Sequence, residues 1–111
     1  MHIKDSKKDQ ATIVMIEGRL DSSNSGTLEK KITALLEAGE SNFLFDFTAM
    51  DYISSAGLRT FLSTAKKMKA RDGNLCMARL RDNVKDVFTI SGFIALIPAF
   101  DTLGAAQDSI R

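Results

Sequence analysis

Two adjacent serines, Ser54 and Ser55, lie in the segment Asp51-Tyr52-Ile53-Ser54-Ser55-Ala56-Gly57-Leu58, where a helical pattern begins. The first turn of a helix carries backbone N–H groups without partners, and a serine hydroxyl accepts well from one of them. One hydroxyl suffices for that cap, so the pair leaves a second one free. The small Ala56 and Gly57 that follow leave the backbone of the first turn open to another protein. Glycine costs about 1 kcal/mol against alanine inside a helix, less near its end, so position 57 needs a reason. Close approach of a partner is one; tight packing on a sheet is another.

Other chemistries fall away. A serine or cysteine nucleophile needs a base, most often histidine. The only histidine is His2, at a terminus expected to be mobile, and the single cysteine, Cys76, lies in the apolar run Leu75-Cys76-Met77-Ala78. The glycines are scattered singly, and no lysine follows one as a phosphate cradle requires. Asp46 and Asp51 make a weak metal pair and read better as solvated loop residues. No catalytic group, metal or cofactor is expected.

The serines need a scaffold, and the chain supplies one in alternating pieces. Thr12 to Glu17 is apolar on both faces, as a central strand is. Gly18-Arg19-Leu20-Asp21 leads to the cap-rich Asp21-Ser22-Ser23-Asn24-Ser25. Leu28, Ile32, Leu35 and Leu36 then form one helical stripe ended by Gly39. Phe43 to Phe47 reads as a second buried strand, with Tyr52 and Ile53 adding a little extended chain. From Ser55, the residues Leu58, Phe61, Leu62, Ala65 and Met68 keep helical spacing to Arg71, and Asp72-Gly73 closes the helix. Leu75 to Ala78 is a third strand. Asp82 or Asn83 caps a short helix with Val84, Val87 and Phe88, stopped at Ser91-Gly92. Leu96 to Phe100 holds the only proline, Pro98, and is an edge strand or a loop. Asp101 opens a last helix, and Ile3 to Lys7 is a possible edge strand. Strands alternating with helices predict one α/β domain over residues 1–111. Its sheet is mixed and largely parallel, of four to five strands packed with about four helices, with binding at the carboxyl ends of the strands.

Composition is that of a folded soluble domain: 44% hydrophobic, 26% charged, with Lys+Arg 15 against Asp+Glu 14. The mixed charge argues against direct nucleic-acid binding, and Lys66, Lys67, Lys69 and Arg71 read as a solvated helix face. No apolar stretch approaches the roughly 18 to 20 residues that span a bilayer, the N-terminus is too polar for a signal peptide, and a lone thiol suits a reducing compartment. The expectation is a cytoplasmic protein without membrane insertion.

The segment around Ser55 resembles the signature of the STAS domain family (sulphate transporter and anti-sigma-factor antagonist), roughly Asp-Ser-Ser/Thr-Gly-Leu before an amphipathic helix. Gly18-Arg19-Leu20-Asp21 resembles the family's Gly-x-Leu-Asp turn, and Phe43 to Phe47 with Asp46 resembles its hydrophobic strand ending in Asp and an apolar residue. The likeness runs over nearly the whole chain, and its size resembles that of a stand-alone bacterial antagonist. The resemblance implies a partner that is both an anti-sigma factor and a serine kinase. Binding it would free a sigma factor, phosphorylation by it with ATP and magnesium would release the antagonist, and a phosphatase would reset the cycle. The modified serine of the pattern lies two residues before Gly-Leu, which puts it at Ser55, with Ser54 the alternative. Ser54 stands where Asp is common, and Ala56 where Ser or Thr is frequent. Partner contacts are expected from Asp21, Ser22, Asp51, Ser54, Ala56, Gly57 and Leu58.

Electrostatics alone favours a switch of that sign. Phosphoserine adds about −1.5 to −2 charges, and a helix N-terminus returns only about 0.3 to 1 kcal/mol. Carboxylates at Asp21 and Asp51, if about 6 Å away, would repel it, and desolvation inside an interface adds to the cost. Two other readings remain open: a STAS-like accessory subunit of a membrane transport or signalling assembly, in which the serines only cap, and a small nucleotide-binding domain using the helix start for an anion.

Overall fold

The computed structural model describes residues 1–110. The sheet is built outward from β2 (Ala11–Leu20), whose two apolar faces suit a strand with neighbours on both sides. The amino-terminal β1 (His2–Lys8) pairs with it antiparallel, from His2 opposite Glu17 to Lys8 opposite Ala11. The remaining pairings are parallel: β3 (Asn42–Asp46) on β2, β5 (Asn74–Ala78) on β3, and the short β6 (Ala99–Phe100) on β5. The four-residue β4 (Met50–Ile53) pairs with the far end of β2, beyond the β3 ladder. The sheet thus has six strands in the order β1-β2-β3-β5-β6, with β4 beside β2.

The described residues form four helices, α1 (Ser25–Glu37), α2 (Ser55–Ala70), α3 (Asp82–Ile90) and, after the last strand, α4 (Leu103–Ser109), with one 3-10 turn at Phe93–Ala95. The larger core lies on the sheet face carrying Val14, Ile16, Phe43, Phe45 and Met77, against Leu28, Ile32 and Leu36 of α1, Phe61 and Met68 of α2, and Val84 and Phe88 of α3. Phe61 is its hub. Its ring meets Phe45 edge-on at 5.1 Å and Phe47 at 5.2 Å, and Phe88 at 5.9 Å. Such contacts add about 0.5 to 1.5 kcal/mol each beyond burial. The other face is smaller: Ala11, Leu44, Cys76 and Ala78 pack on Ala106 of α4 and on Ile110.

The structure extends the sequence-based expectations and corrects several. The sheet has six strands rather than four or five. His2 belongs to β1, paired with Glu17, and is not at a loose end. The cap position of α3 is Arg81, with extended backbone, so Asp82 is already helical and Asn83 lies inside the first turn. The last helix is capped by Thr102, whose hydroxyl accepts from the Ala105 N–H at 3.0 Å, one residue later than Asp101. Pro98 precedes β6 directly and gives its carbonyl to the Met77 N–H at 2.8 Å, a role that needs no N–H of its own.

Replacing Phe61 with alanine removes the ring around which Phe45, Phe47 and Phe88 pack, and the expected loss is about 3 to 5 kcal/mol in urea unfolding; a loss under about 1 kcal/mol would contradict the packing described.

Candidate functional site

The carboxyl ends of β2 and β4 lie side by side, with Leu20 opposite Ile53, and the Ser54 N–H donates to the Leu20 carbonyl at 2.9 Å. One residue past that bond the chain leaves the sheet on both sides, at Asp21 toward α1 and at Ser55 into α2.

The two serines divide their work. Ser54 has extended backbone (φ −95°, ψ 174°), and its Oγ accepts from the Gly57 N–H at 3.3 Å while its carbonyl accepts from Leu58 at 2.9 Å. It is the cap. Ser55 is the first helical residue, exposed, and its hydroxyl bonds to no other group among the described residues.

Gly57 and Leu58, expected at a partner surface, are buried instead. A Cβ on Gly57 would lie 2.9 Å from Ile53 Cγ1 and 2.9 Å from Leu20 Cγ, so glycine is required for packing on the sheet rather than for access from outside. Leu58 is 6% exposed and belongs to the core. Ala56 is half-buried, and Ser22 and Asp51 are exposed.

The turn after β2 is tied on itself. The Asp21 carboxylate accepts from the Ser23 N–H at 2.9 Å and hydroxyl at 2.5 Å, while Asn24 Oδ1 accepts from the Asp21 N–H at 2.9 Å. The Ser23 hydroxyl, then its N–H, hold the Asp21 pKa below its ordinary value, with the positive charge of Arg19 adding to the effect. This carboxylate is therefore an anion throughout the neutral range. Asp51 differs. The register of β4 on β2 shifts between Gly18 and Arg19, which leaves Asp51 with no opposite residue. Such irregularities re-aim side chains, and here the Asp51 carboxylate meets Arg81 Nη1 at 2.7 Å. Arg81 Nε also donates to the Thr48 carbonyl at 3.2 Å, and Asn83 Nδ2 to the Asp51 carbonyl at 2.7 Å. Next to it the Arg19 guanidinium stacks over the Tyr52 ring, 4.2 Å from its centroid.

Asp46 is not a solvated partner of Asp51: it is 8% exposed at the end of β3 and accepts from the Thr48 N–H at 3.0 Å. Among the described residues no three His, Cys, Asp or Glu side chains gather to hold a metal ion, and no helix is long and apolar enough to cross a membrane. Burial pushes the Cys76 thiol pKa up, which disfavours the reactive thiolate. The chemistry at the strand ends is an exposed hydroxyl, a part-buried carboxylate held by Ser23, and two arginines already engaged.

A mixed sheet with β4 seated on the end of β2, and a serine pair at its lip of which Ser54 caps the helix, defines a small α/β domain. The family model described as STAS domain matches residues 2–106, and the chain belongs to that family. BtrV of Bordetella bronchiseptica, a protein named for an assigned role as anti-sigma factor antagonist, is 36% identical over 111 residues, which is 100% of this chain and 96% of that one. Among solved structures, the Thermotoga maritima protein tm1081, assigned as an anti-sigma factor antagonist, superposes with a TM-score of 0.94 at 17% identity, covering 98% of this chain and 94% of that one. The Bacillus cell fate determinant SpoIIAA in its phosphorylated form gives a TM-score of 0.77 at 18% identity, covering 99% of this chain and 100% of that one. At such identities the structural likenesses speak for the fold.

The division of labour between the serines has a direct check. Ser54→Ala is expected to cost about 0.5 to 2 kcal/mol as a lost cap, and Ser55→Ala less than about 0.5 kcal/mol as an exposed position. Equal losses in denaturant melts would show that the cap is shared.

Proposed function

We propose that this chain is an anti-sigma factor antagonist that binds an anti-sigma factor and is turned off by phosphorylation of Ser55. The observation that carries the site is the free, exposed Ser55 hydroxyl beside a cap already supplied by Ser54. Membership of the STAS family and the 36% identity to BtrV over the whole chain support the role. The role is regulatory, and the chemistry at Ser55 belongs to the partner: an anti-sigma factor with serine kinase activity, using ATP and magnesium. The Ser55 oxygen takes the γ-phosphoryl group, ADP leaves, and the hydroxyl proton is lost. A phosphatase restores the hydroxyl by hydrolysis.

Phosphorylation can break a complex here without unfolding anything. Ser55 contributes nothing to the core, so a phosphate there changes the surface and leaves the packing intact. The Asp21 carboxylate, kept ionised by its bonds from Ser23, stands one residue past the Leu20–Ser54 bond and opposes a second negative group. The dipole of α2 returns only about 0.3 to 1 kcal/mol. A partner that covers the site must also desolvate the phosphate, a cost of several kcal/mol for an unpaired ion. Asp51 contributes little to the repulsion, because Arg81 neutralises it. The docking surface is the exposed set around the lip: Ser22, Asp51, Ser55 and the edge of Ala56, with Asp21 and Ser54 between them.

Ser55→Asp should weaken binding to the cognate anti-sigma factor at least tenfold, about 1.4 kcal/mol, in calorimetry. Ser55→Ala should bind as the unsubstituted chain does and lose all labelling by the kinase in mass spectrometry. A label on Ser54, or none anywhere, would overturn the assignment; copurification with a membrane assembly and no labelling would favour the accessory-subunit reading.

A further inference from the structure

One helical turn beyond Ser55 stands Arg59, exposed and in none of the ion pairs found among the described residues. The other arginines at this end of the sheet are occupied: Arg81 holds Asp51, and Arg19 lies over Tyr52. Residues four apart are neighbours on a helix surface, and helical Cα–Cβ bonds tilt toward the amino terminus, so a long side chain at 59 lies over the turn that contains 55. The order is also the favourable one, with the anion toward the amino terminus and the cation after it.

The surroundings leave the guanidinium available. Arg59 lines a shallow groove of about 300 Å³ between α1 and α2 together with Ser25, Glu29, Ala56, Thr60 and Ser63. Glu29 is the one carboxylate in that lining, and it forms no ion pair with Arg59. The groove begins at Ala56, next to the acceptor hydroxyl. The remaining charges near the first turn are Asp21, in the loop after β2, and Asp51, held by Arg81.

We infer that Arg59 is the internal counter-ion of phosphorylated Ser55, its guanidinium donating to the phosphate oxygens of its own chain. The inference rests on Ser55 as the modified residue and adds how the modified state is held. A guanidinium matches a phosphate with paired, charge-assisted hydrogen bonds, which an ammonium makes less well. In the free phosphoprotein the new charge is thus balanced from within, and Glu29 and Asp21 oppose it from two other elements. The phosphorylated form is a settled state of the fold, and a partner docking on the lip meets a phosphate that is already paired and must displace or bury that pair.

The test uses full-length chain carrying phosphoserine at position 55 from synthesis, so that no kinase is needed. Phosphorus NMR reads the second ionisation of the phosphate, which falls near pH 6 for an unperturbed phosphoserine. With Arg59 present the midpoint should lie at least about half a unit lower than in Arg59→Gln, roughly a threefold change in the ionisation constant, with Arg59→Lys between the two. Raising ionic strength on the unsubstituted phosphoprotein should shrink the shift, a readout that stands even if the glutamine variant does not fold. An equal midpoint in the arginine and glutamine chains, or a midpoint indifferent to salt, overturns the role of Arg59. Failure of kinase labelling at Ser55 would instead overturn the reading of the site, so the two failures are told apart.

Discussion

The first turn of α2 can lie against the ends of β2 and β4 only because residue 57 has no side chain. A single added carbon would sit 2.9 Å from both Ile53 and Leu20, closer than packed carbons come. That contact places the helix start next to the Leu20–Ser54 backbone bond, which in turn sets Ser54 as the cap and turns Ser55 outward. Below it, Leu58 and Phe61 enter the core and lock the helix against the strands carrying Phe45 and Phe47. The exposed hydroxyl is therefore positioned by buried contacts that do not involve it, and it can change its chemistry without disturbing them.

The charges around that hydroxyl are arranged unequally. Two carboxylates belong to this end of the sheet, Asp51 just before the serine pair in sequence and Asp21 brought in by the pairing of β4 with β2, yet the fold treats them differently. Asp21 is kept ionised by Ser23 and, among the described residues, has no cation bonded to it, while Asp51 spends its charge on Arg81. The Asp51 pair lies at the surface, with side chains 51% and 59% exposed, so its contribution to stability is small. Its structural effect is larger than its energy: together with the Asn83–Asp51 and Arg81–Thr48 bonds it fixes the irregular strand that leads into Ser54. On this arrangement the anion that disfavours a phosphate at the lip comes from the β2 side, and the β4 side is neutral.

Much of this was legible in the chain, for identifiable reasons. The run Phe43 to Phe47 and the stripe from Leu58 to Met68 carry the periods of a buried strand and an amphipathic helix, and both elements formed, the strand one residue earlier as Asn42–Asp46 and the helix as Ser55–Ala70. The serine pair was legible because capping needs one hydroxyl and the sequence offers two. The strand count was not, because β4 and β6 are four and two residues long, too short to show a period. The caps of α3 and α4 were missed by a residue or so because Asp101, Asp82 and Asn83 look like caps, whereas backbone geometry chose Arg81 and Thr102. Gly57 and Leu58 were placed on the surface because small and apolar residues at a helix start fit either a partner or a sheet, and only the distances to Leu20 and Ile53 decide. The contacts of Arg81 and Asn83 with Asp51 left no signal: they span about thirty residues, and nothing local marks them.

The separation between a rigid support and a chemically free tip also explains why the fold suits reversible regulation. A switch built by melting a helix would have to overcome the aromatic cluster around Phe61, where a single ring is worth several kcal/mol. Total stability of such a domain is only about 5 to 15 kcal/mol, so a switch of that kind would put the whole fold at risk each time it was used. A charge added at an exposed first-turn position avoids this. It acts through Asp21 and the partner's loss of solvent on one side, and through the helix start on the other, and all of these terms vanish when the phosphate is removed. On the proposed reading neither the sheet nor the phenylalanines need move when the charge is added, because none of their contacts involves Ser55.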